Sequence, residues 1–200
     1  TRRTFERMLT AAVAENPDAD IVVKLHPDSL ARSGRAGYFA HIKQEDRIFP
    51  VNVNVNPHVI LDEVDDVYVV TSQLGFEALL RGKRVHVFGR PFYAGWGLTD
   101  DRQPMNRARQ RSAEELFYGA CVLHSAYVDP TTGEFDDVER LFDFAFHDQV
   151  ASDLILDAGP DFIAVGKRKR WLAAARPRAE QQTAFLAKRE ARPLGVDVLR

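Results

Sequence analysis

Residues 67–101 read VYVVTSQLGFEALLRGKRVHVFGRPFYAGWGLTDD. Val67–Val70 is a β-branched and aromatic run, the pattern of a buried strand. Thr71 and Ser72 form a polar turn. Gln73 to Arg81 predicts a helix, and Gly82 takes the position just past its end. Val85 to Phe88 predicts a second strand, and the loop Phe92-Tyr93-Ala94-Gly95-Trp96-Gly97 follows. Strand, helix and strand at this spacing form a βαβ unit, which requires a parallel sheet.

Upstream, the same alternation continues. Phe5, Met8, Leu9, Ala12 and Val13 recur at the spacing of one face of an amphipathic helix, which Asn16-Pro17 stops. Ile21 to Leu25 predicts a buried strand ended by His26-Pro27-Asp28. Ser29 to Gln44 reads as loop. Ile48 to Val55 predicts a strand, and Asn56-Pro57 opens a short helix to Glu63. Downstream of Trp96 the pattern changes. Ser112 to Leu123 predicts a helix with Ser112 as N-cap and Glu115 completing a capping box. Tyr127 to Glu134 reads as a turn and Asp137 to Phe146 as a helix. The expected fold is therefore α/β, a Rossmann-like parallel sheet with flanking helices. Residues 1–146 form the sheet domain. Residues 147–200, basic and rich in alanine and proline from Gly166, form a helical or linker extension outside the main sheet.

Composition narrows the function classes. Of 200 residues, 45% are hydrophobic and 28% charged, enough to bury a core. A formal net charge of −2 gives no reason to expect a nucleic-acid partner. The single cysteine, Cys121, excludes an internal disulfide and a cysteine-based metal site. No apolar run is long enough for a membrane-spanning helix, and no signal peptide opens the chain. The chain enters a helical pattern almost at once and reads as a fragment.

Chemistry-bearing residues gather at predicted strand ends. Thr71 and Ser72 sit where a strand meets the N-terminus of a helix, whose free N–H groups and positive dipole suit a phosphate. Ser72 is equally well explained as an N-cap. Gln73 and Glu77 share a helix face, and Glu77 stands in an otherwise apolar helix, so it needs a partner. A ribose diol would serve, and so would a basic side chain such as Arg81. Lys24 and His26, two apart at another strand end, point to the same side, where a cation and an imidazole suit a phosphate leaving group. The aromatic loop either folds near a base or sugar or plugs the sheet, and its spacing favours the plug. Asp65-Asp66 and Asp100-Asp101 read as solvated faces or caps rather than metal ligands. Arg102, Arg107, Arg109 and Arg111 read as a solvated basic run, and Cys121 as core.

A family resemblance rests on Val69-Val70-Thr71-Ser72-Gln73-Leu74-Gly75-Phe76-Glu77-Ala78-Leu79-Leu80, Gly82-Lys83, Phe88-Gly89 and Pro91 to Thr99, with Lys24 to Asp28 and Tyr127 to Glu134 beside them. These segments closely resemble the capsule polysaccharide synthesis family, which includes the KpsC-type retaining β-Kdo transferases of Gram-negative bacteria. The resemblance covers residues 5 to 145 and implies a GT-B glycosyltransferase, of which this chain matches the C-terminal, nucleotide-binding half of one module. It implies a CMP-Kdo donor and a phosphatidylglycerol-type lipid acceptor, with no cofactor and no metal. By the same resemblance His26 contacts the CMP phosphate and assists its departure, Ser72 holds that phosphate and Glu77 accepts from the ribose. Lys24, Gln73, Gly75 and Phe76 shape the pocket. The nucleophile lies in the other half, so the chain alone is expected to bind nucleotide weakly and turn nothing over. The implied place is the cytoplasm or the inner-membrane periphery, within a capsule-assembly complex. Arg192 to Arg200 resemble the entry to a following module. A nucleotide-sugar epimerase on the same fold, or a non-catalytic scaffold module, are the alternatives.

Overall fold

A computed structural model describes residues 1–24, 38–39, 42–51, 56–129, 132–139 and 162–167. In chain order these form α1 (Arg2–Glu15), β1 (Ala19–Lys24), β2 (Ile48–Val51), α2 (Pro57–Asp62), β3 (Asp66–Val69), α3 (Leu74–Leu80), β4 (Arg84–Val87) and β5 (Asp100–Asp101). Next come α4 (Ala113–Phe117), a π-helical continuation (Tyr118–Leu123), the hairpin β6 (Tyr127–Val128) and β7 (Phe135–Asp136), and finally β8 (Phe162–Lys167).

The main sheet runs β2-β1-β8-β3-β4-β5. β1 pairs with β2, β3 with β4 and β4 with β5 in parallel, while β8 is antiparallel to both β1 and β3. β1 to β5 therefore all point one way, and their carboxyl ends share one edge. The mixed α/β sheet, mostly parallel with flanking helices, is the class expected from the sequence. Sheet position explains Pro50: β2 is an edge strand, where a missing backbone N–H is tolerated.

Period-two alternation divides the core between the faces of the sheet. Ile21, Val23, Tyr68, Ile163 and Val165 pack with Met8 and Ala12 of α1. Val22, Val67, Val69, Val85, Val87 and Ala164 pack with α2, α3, Tyr93 and Leu116. Local signals set the helix ends. The Asn56 side chain accepts from His58 N at 2.9 Å, the Ser112–Glu115 capping box is present, and Gly82 leaves α3 at φ +67, a left-handed value suited to glycine.

Several features depart from the sequence reading, among them the pairing of Asp100–Asp101 as β5 and of Tyr127–Val128 as β6. Phe162–Lys167 is a strand between β1 and β3, whereas the sequence places all of residues 147–200 in an extension outside the sheet. The short apolar run Phe162–Val165 is compatible with a buried strand, but its partners are far away in sequence. The predicted helix from Ser112 changes to π-helix at Tyr118. Residues 25–37, 52–55 and 140–146, which carry part of two predicted strands and most of the predicted helix 137–146, lie outside the described residues.

Candidate functional site

The site grows from the end of β3. Ser72 is buried, and its Oγ accepts from Leu74 N at 3.1 Å. It thus caps the start of α3 through a side chain–backbone bond, leaving its own hydroxyl hydrogen to donate elsewhere. The Ser72 carbonyl accepts from the Tyr93 hydroxyl. Tyr93 is fully buried and runs beneath α3. Gly75 makes room for it: a Cβ there would meet Tyr93 Oη at 2.3 Å and Val69 Cγ2 at 2.9 Å. Gly75 therefore shapes the site indirectly, by admitting the tyrosine that fixes the turn.

The aromatic loop does two jobs. Tyr93 and Ala94 are the plug favoured by the sequence, whereas Phe92 is 45% exposed. Phe92 packs edge-on against Phe76 at 5.0 Å. The Trp96 indole Nε1 donates to Phe92 O at 2.8 Å, and the Arg107 guanidinium lies 4.2 Å from the Trp96 ring centroid. Arg107 Nε also donates to Ala94 O at 2.8 Å. Asp101 closes the loop, its Oδ2 accepting from Gly95 N at 2.8 Å. Gln73, Phe76, Phe92 and Trp96 line one wall of a groove of about 980 Å³, with Arg107 and the π-helical segment also in the lining. It sits at the carboxyl edge of the strands, the usual ligand position in open α/β sheets.

Glu77 has a partner, though not Arg81. Its Oε2 lies 3.4 Å from His58 Nε2, while Arg81 faces Asp62 at 3.8 Å. Burial, with help from Arg81, holds His58 below the ordinary imidazole value against the pull of Glu77 and Asp62. With Nε2 turned towards Glu77, His58 Nδ1 is buried and, among the described residues, has no hydrogen-bond partner. Glu77 and His58 are not among the groove lining. Lys24 ends β1 and is 1% exposed, also outside that lining. His26 lies outside the described residues. Ser72, Gln73, Gly75 and Phe76 are thus brought together by one turn, and Glu77 faces α2.

A second cluster escaped the sequence reading. Asp66, expected to be solvated, is buried and receives Arg84 Nη2 at 2.6 Å and His86 Nε2 at 3.0 Å. His86 Nδ1 reaches Asp100 at 2.8 Å, and Arg102 Nη2 bridges Asp100 and Glu15 at 2.7 Å each. Burial works against the imidazolium, but the bonds to Asp66 and Asp100 outweigh it and hold His86 above its ordinary value. Asp66 is held low because His86 and Arg84 overcome the cost of burial. Arg102 and Arg107, read as members of a solvated run, are both structural. No local signal marks them: Arg102 is placed by the pairing of β5 with β4, and Arg107 by the chain folding back onto the carbonyls of Phe92 and Ala94.

A model of the family described as capsule polysaccharide biosynthesis protein matches residues 1–135. The capsule polysaccharide modification protein LipA of Neisseria meningitidis serogroup B is 45% identical over 148 residues, covering 70% of this chain and 21% of that protein. The lipopolysaccharide-processing protein LpsZ of Rhizobium meliloti is 43% identical over 141 residues, covering 70% of this chain and 32% of LpsZ. Among solved structures, the KpsC beta Kdo 2,4 transferase of Thermosulfurimonas dismutans matches with a TM-score of 0.66 at 40% identity, covering 72% of this chain and 44% of that one. The beta Kdo 2,7 transferase of the same KpsC matches with a TM-score of 0.55 at 35% identity, covering 68% and 42%. This chain spans between a fifth and a half of the length of these relatives.

Proposed function

Since the chain belongs to the capsule polysaccharide biosynthesis family, we propose that it is the donor-binding half of a Kdo glycosyltransferase module, taking Kdo from CMP-Kdo to a lipid-linked acceptor. The observation that carries this reading is the turn after β3, whose Gln73 lines a groove at the carboxyl edge of the sheet together with Phe76, Phe92 and Trp96, while Ser72 stands buried beside it and outside that lining. The likeness to a Kdo transferase at 40% identity supports the sugar.

In this reading residues 1–146 are the CMP-sugar-binding domain of a GT-B enzyme, and residues 147–200 lead towards a further module while contributing β8 to the sheet. The Ser72 hydroxyl donates to the CMP phosphate, and developing charge on that phosphate is stabilised by His26 as the glycosidic bond breaks. Gln73 and Phe76 border the nucleotide. Glu77, oriented by His58, accepts from the ribose hydroxyls. Lys24 acts from beneath by fixing the end of β1. No described helix is long and apolar enough to cross a membrane. We place the protein in the cytoplasm or at the inner-membrane surface, where a phosphatidylglycerol-type acceptor is reached.

Isothermal titration with CMP and UDP tests the donor assignment. CMP binding tighter than UDP binding is expected, weakened at least tenfold by His26→Ala. Equal or tighter binding of UDP would sink the CMP assignment and favour an epimerase. No nucleotide binding in a folded sample would favour a scaffold role.

A further inference from the structure

A second groove, of about 620 Å³, runs along the outer side of α1. Its walls are Arg3, Arg7, Thr10, Ala11 and Ala14 on the helix and Phe88 with Arg102 from the sheet, with Glu6 at the rim. Phe88 follows the last residue of β4, and Arg102 N donates to Val87 O at 2.8 Å. The groove therefore also opens near the carboxyl edge of the sheet, but on the α1 face, whereas α3 covers the other one.

Three guanidinium groups line this groove against one carboxylate, and that carboxylate is engaged: Glu6 Oε1 accepts from Arg2 Nε at 3.0 Å. Among the described residues, Arg3 and Arg7 have no acidic partner, although their i, i+4 spacing puts two like charges side by side on the helix. That placement is unfavourable on a helix surface. Arg102 is the fixed wall. Its Nη2 is held by Glu15 and Asp100, while its Nε is buried and, among the described residues, has no hydrogen-bond partner. Ala11 and Ala14 keep the floor open. Guanidinium forks match phosphate oxygens in pairs, and a phosphate offers several converging guanidiniums more acceptor oxygens than a single carboxylate does.

We propose that this groove binds a multiply charged phosphate, a pyrophosphate or a phosphomonoester headgroup, gripped by Arg3 and Arg7 against the fixed Arg102. The residues are distinct from those of the proposed donor site, so the inference stands or falls separately from that reading.

The test is titration of the whole chain with sodium pyrophosphate, followed by calorimetry and thermal unfolding. Wild type should bind, with a raised melting temperature, and binding should weaken as salt rises. The double variant Arg3→Ala/Arg7→Ala, changed only at exposed positions, should fold normally and lose at least tenfold in affinity. Arg109→Ala, which removes a charge at an exposed position outside the groove, should bind pyrophosphate as wild type does. Absence of binding in wild type, or equal binding by the double variant, overturns the proposal. Co-sedimentation separates the sources of the phosphate. Pelleting with mixed phosphatidic acid and phosphatidylcholine vesicles, but not with phosphatidylcholine alone, that is lost in the double variant and competed by pyrophosphate assigns a lipid phosphomonoester headgroup. Pyrophosphate binding without pelleting assigns a soluble phosphate.

Discussion

The turn and aromatic loop on the α3 face and the strand-end cluster on the α1 face hold their polar groups in different ways. On the α3 face, side chains reach main-chain oxygens: Tyr93 to Ser72, Trp96 to Phe92, and Arg107 to Ala94 and Phe92. On the α1 face, side chains reach one another, in the chain Arg84–Asp66–His86–Asp100–Arg102–Glu15. The first arrangement fixes a shape and is indifferent to protonation over the ordinary pH range, since burial pushes the Tyr93 hydroxyl far above its usual value. The second ties β3, β4, β5 and α1 together with charges that titrate. A groove that must keep its form is built on backbone bonds, while sheet and helix are joined by ionic ones.

The largest effect should come from the α3 face. Tyr93→Ala removes a fully buried aromatic side chain and should cost about 3–5 kcal/mol in urea denaturation. Tyr93→Phe keeps the ring and loses one hydrogen bond, for about 1 kcal/mol, since the Ser72 carbonyl still accepts from Gly75 N. Equal losses in the two variants would mean that the ring is not what supports the turn.

Next in size is Asp66→Asn. It leaves His86 and Arg84 facing a neutral amide in a buried place, at about 1–3 kcal/mol. Arg84 is three-quarters exposed, so most of the loss comes through His86.

The same pair sets a pH window. His86 is held above its ordinary 6.5 by Asp66 and Asp100 despite burial, so its contribution is complete below that value and fades as pH rises through the folded-state value. Asp66 is held below its ordinary 3.8, so its contribution is present above that value and fades as pH falls through the lower folded-state value. Both contributions are complete between 3.8 and 6.5. His86→Gln should flatten the alkaline limb of a stability–pH profile, and Tyr93→Phe should leave both limbs in place. An unaltered alkaline limb in His86→Gln would assign it to another group.

This division also explains what the sequence made legible. Elements β3, α3 and β4 were readable because strand, cap, apolar helix and glycine stop are local signals, and each fell within a residue or two of its predicted place. The turn at Ser72 and the capping box at Ser112 were readable for the same reason. The Asp66–His86–Asp100 chain was not, because nothing local marks a carboxylate as buried; it becomes so only when β3, β4 and β5 pair. β8 was illegible for a related reason. Its four apolar residues fit a strand, but the slot between β1 and β3 is defined by elements more than ninety residues away in sequence. The groove was half legible: the aromatic residues were visible as a motif, while Arg107 reaching back to Trp96 was not.

Glu77→Ala should have the smallest effect on stability and is the sharpest test of the α3 face. Glu77 and His58 are each 30% exposed and 3.4 Å apart, so their pairing is worth about 0–1 kcal/mol. Losing it also frees a neutral histidine, which needs no counter-charge. A side chain of such small structural value standing in an apolar helix is poorly explained by folding alone. If it serves a nucleotide ribose, Glu77→Ala should weaken CMP binding at least tenfold while the denaturation midpoint barely moves, and Glu77→Gln should recover part of the affinity because an amide oxygen still accepts a hydrogen bond. His58→Ala should do less than Glu77→Ala, since it removes only the group that orients the carboxylate. Unchanged CMP affinity in Glu77→Ala would leave the carboxylate as a half-solvated partner of His58, and the ribose would then have to be held from the groove side, by Gln73.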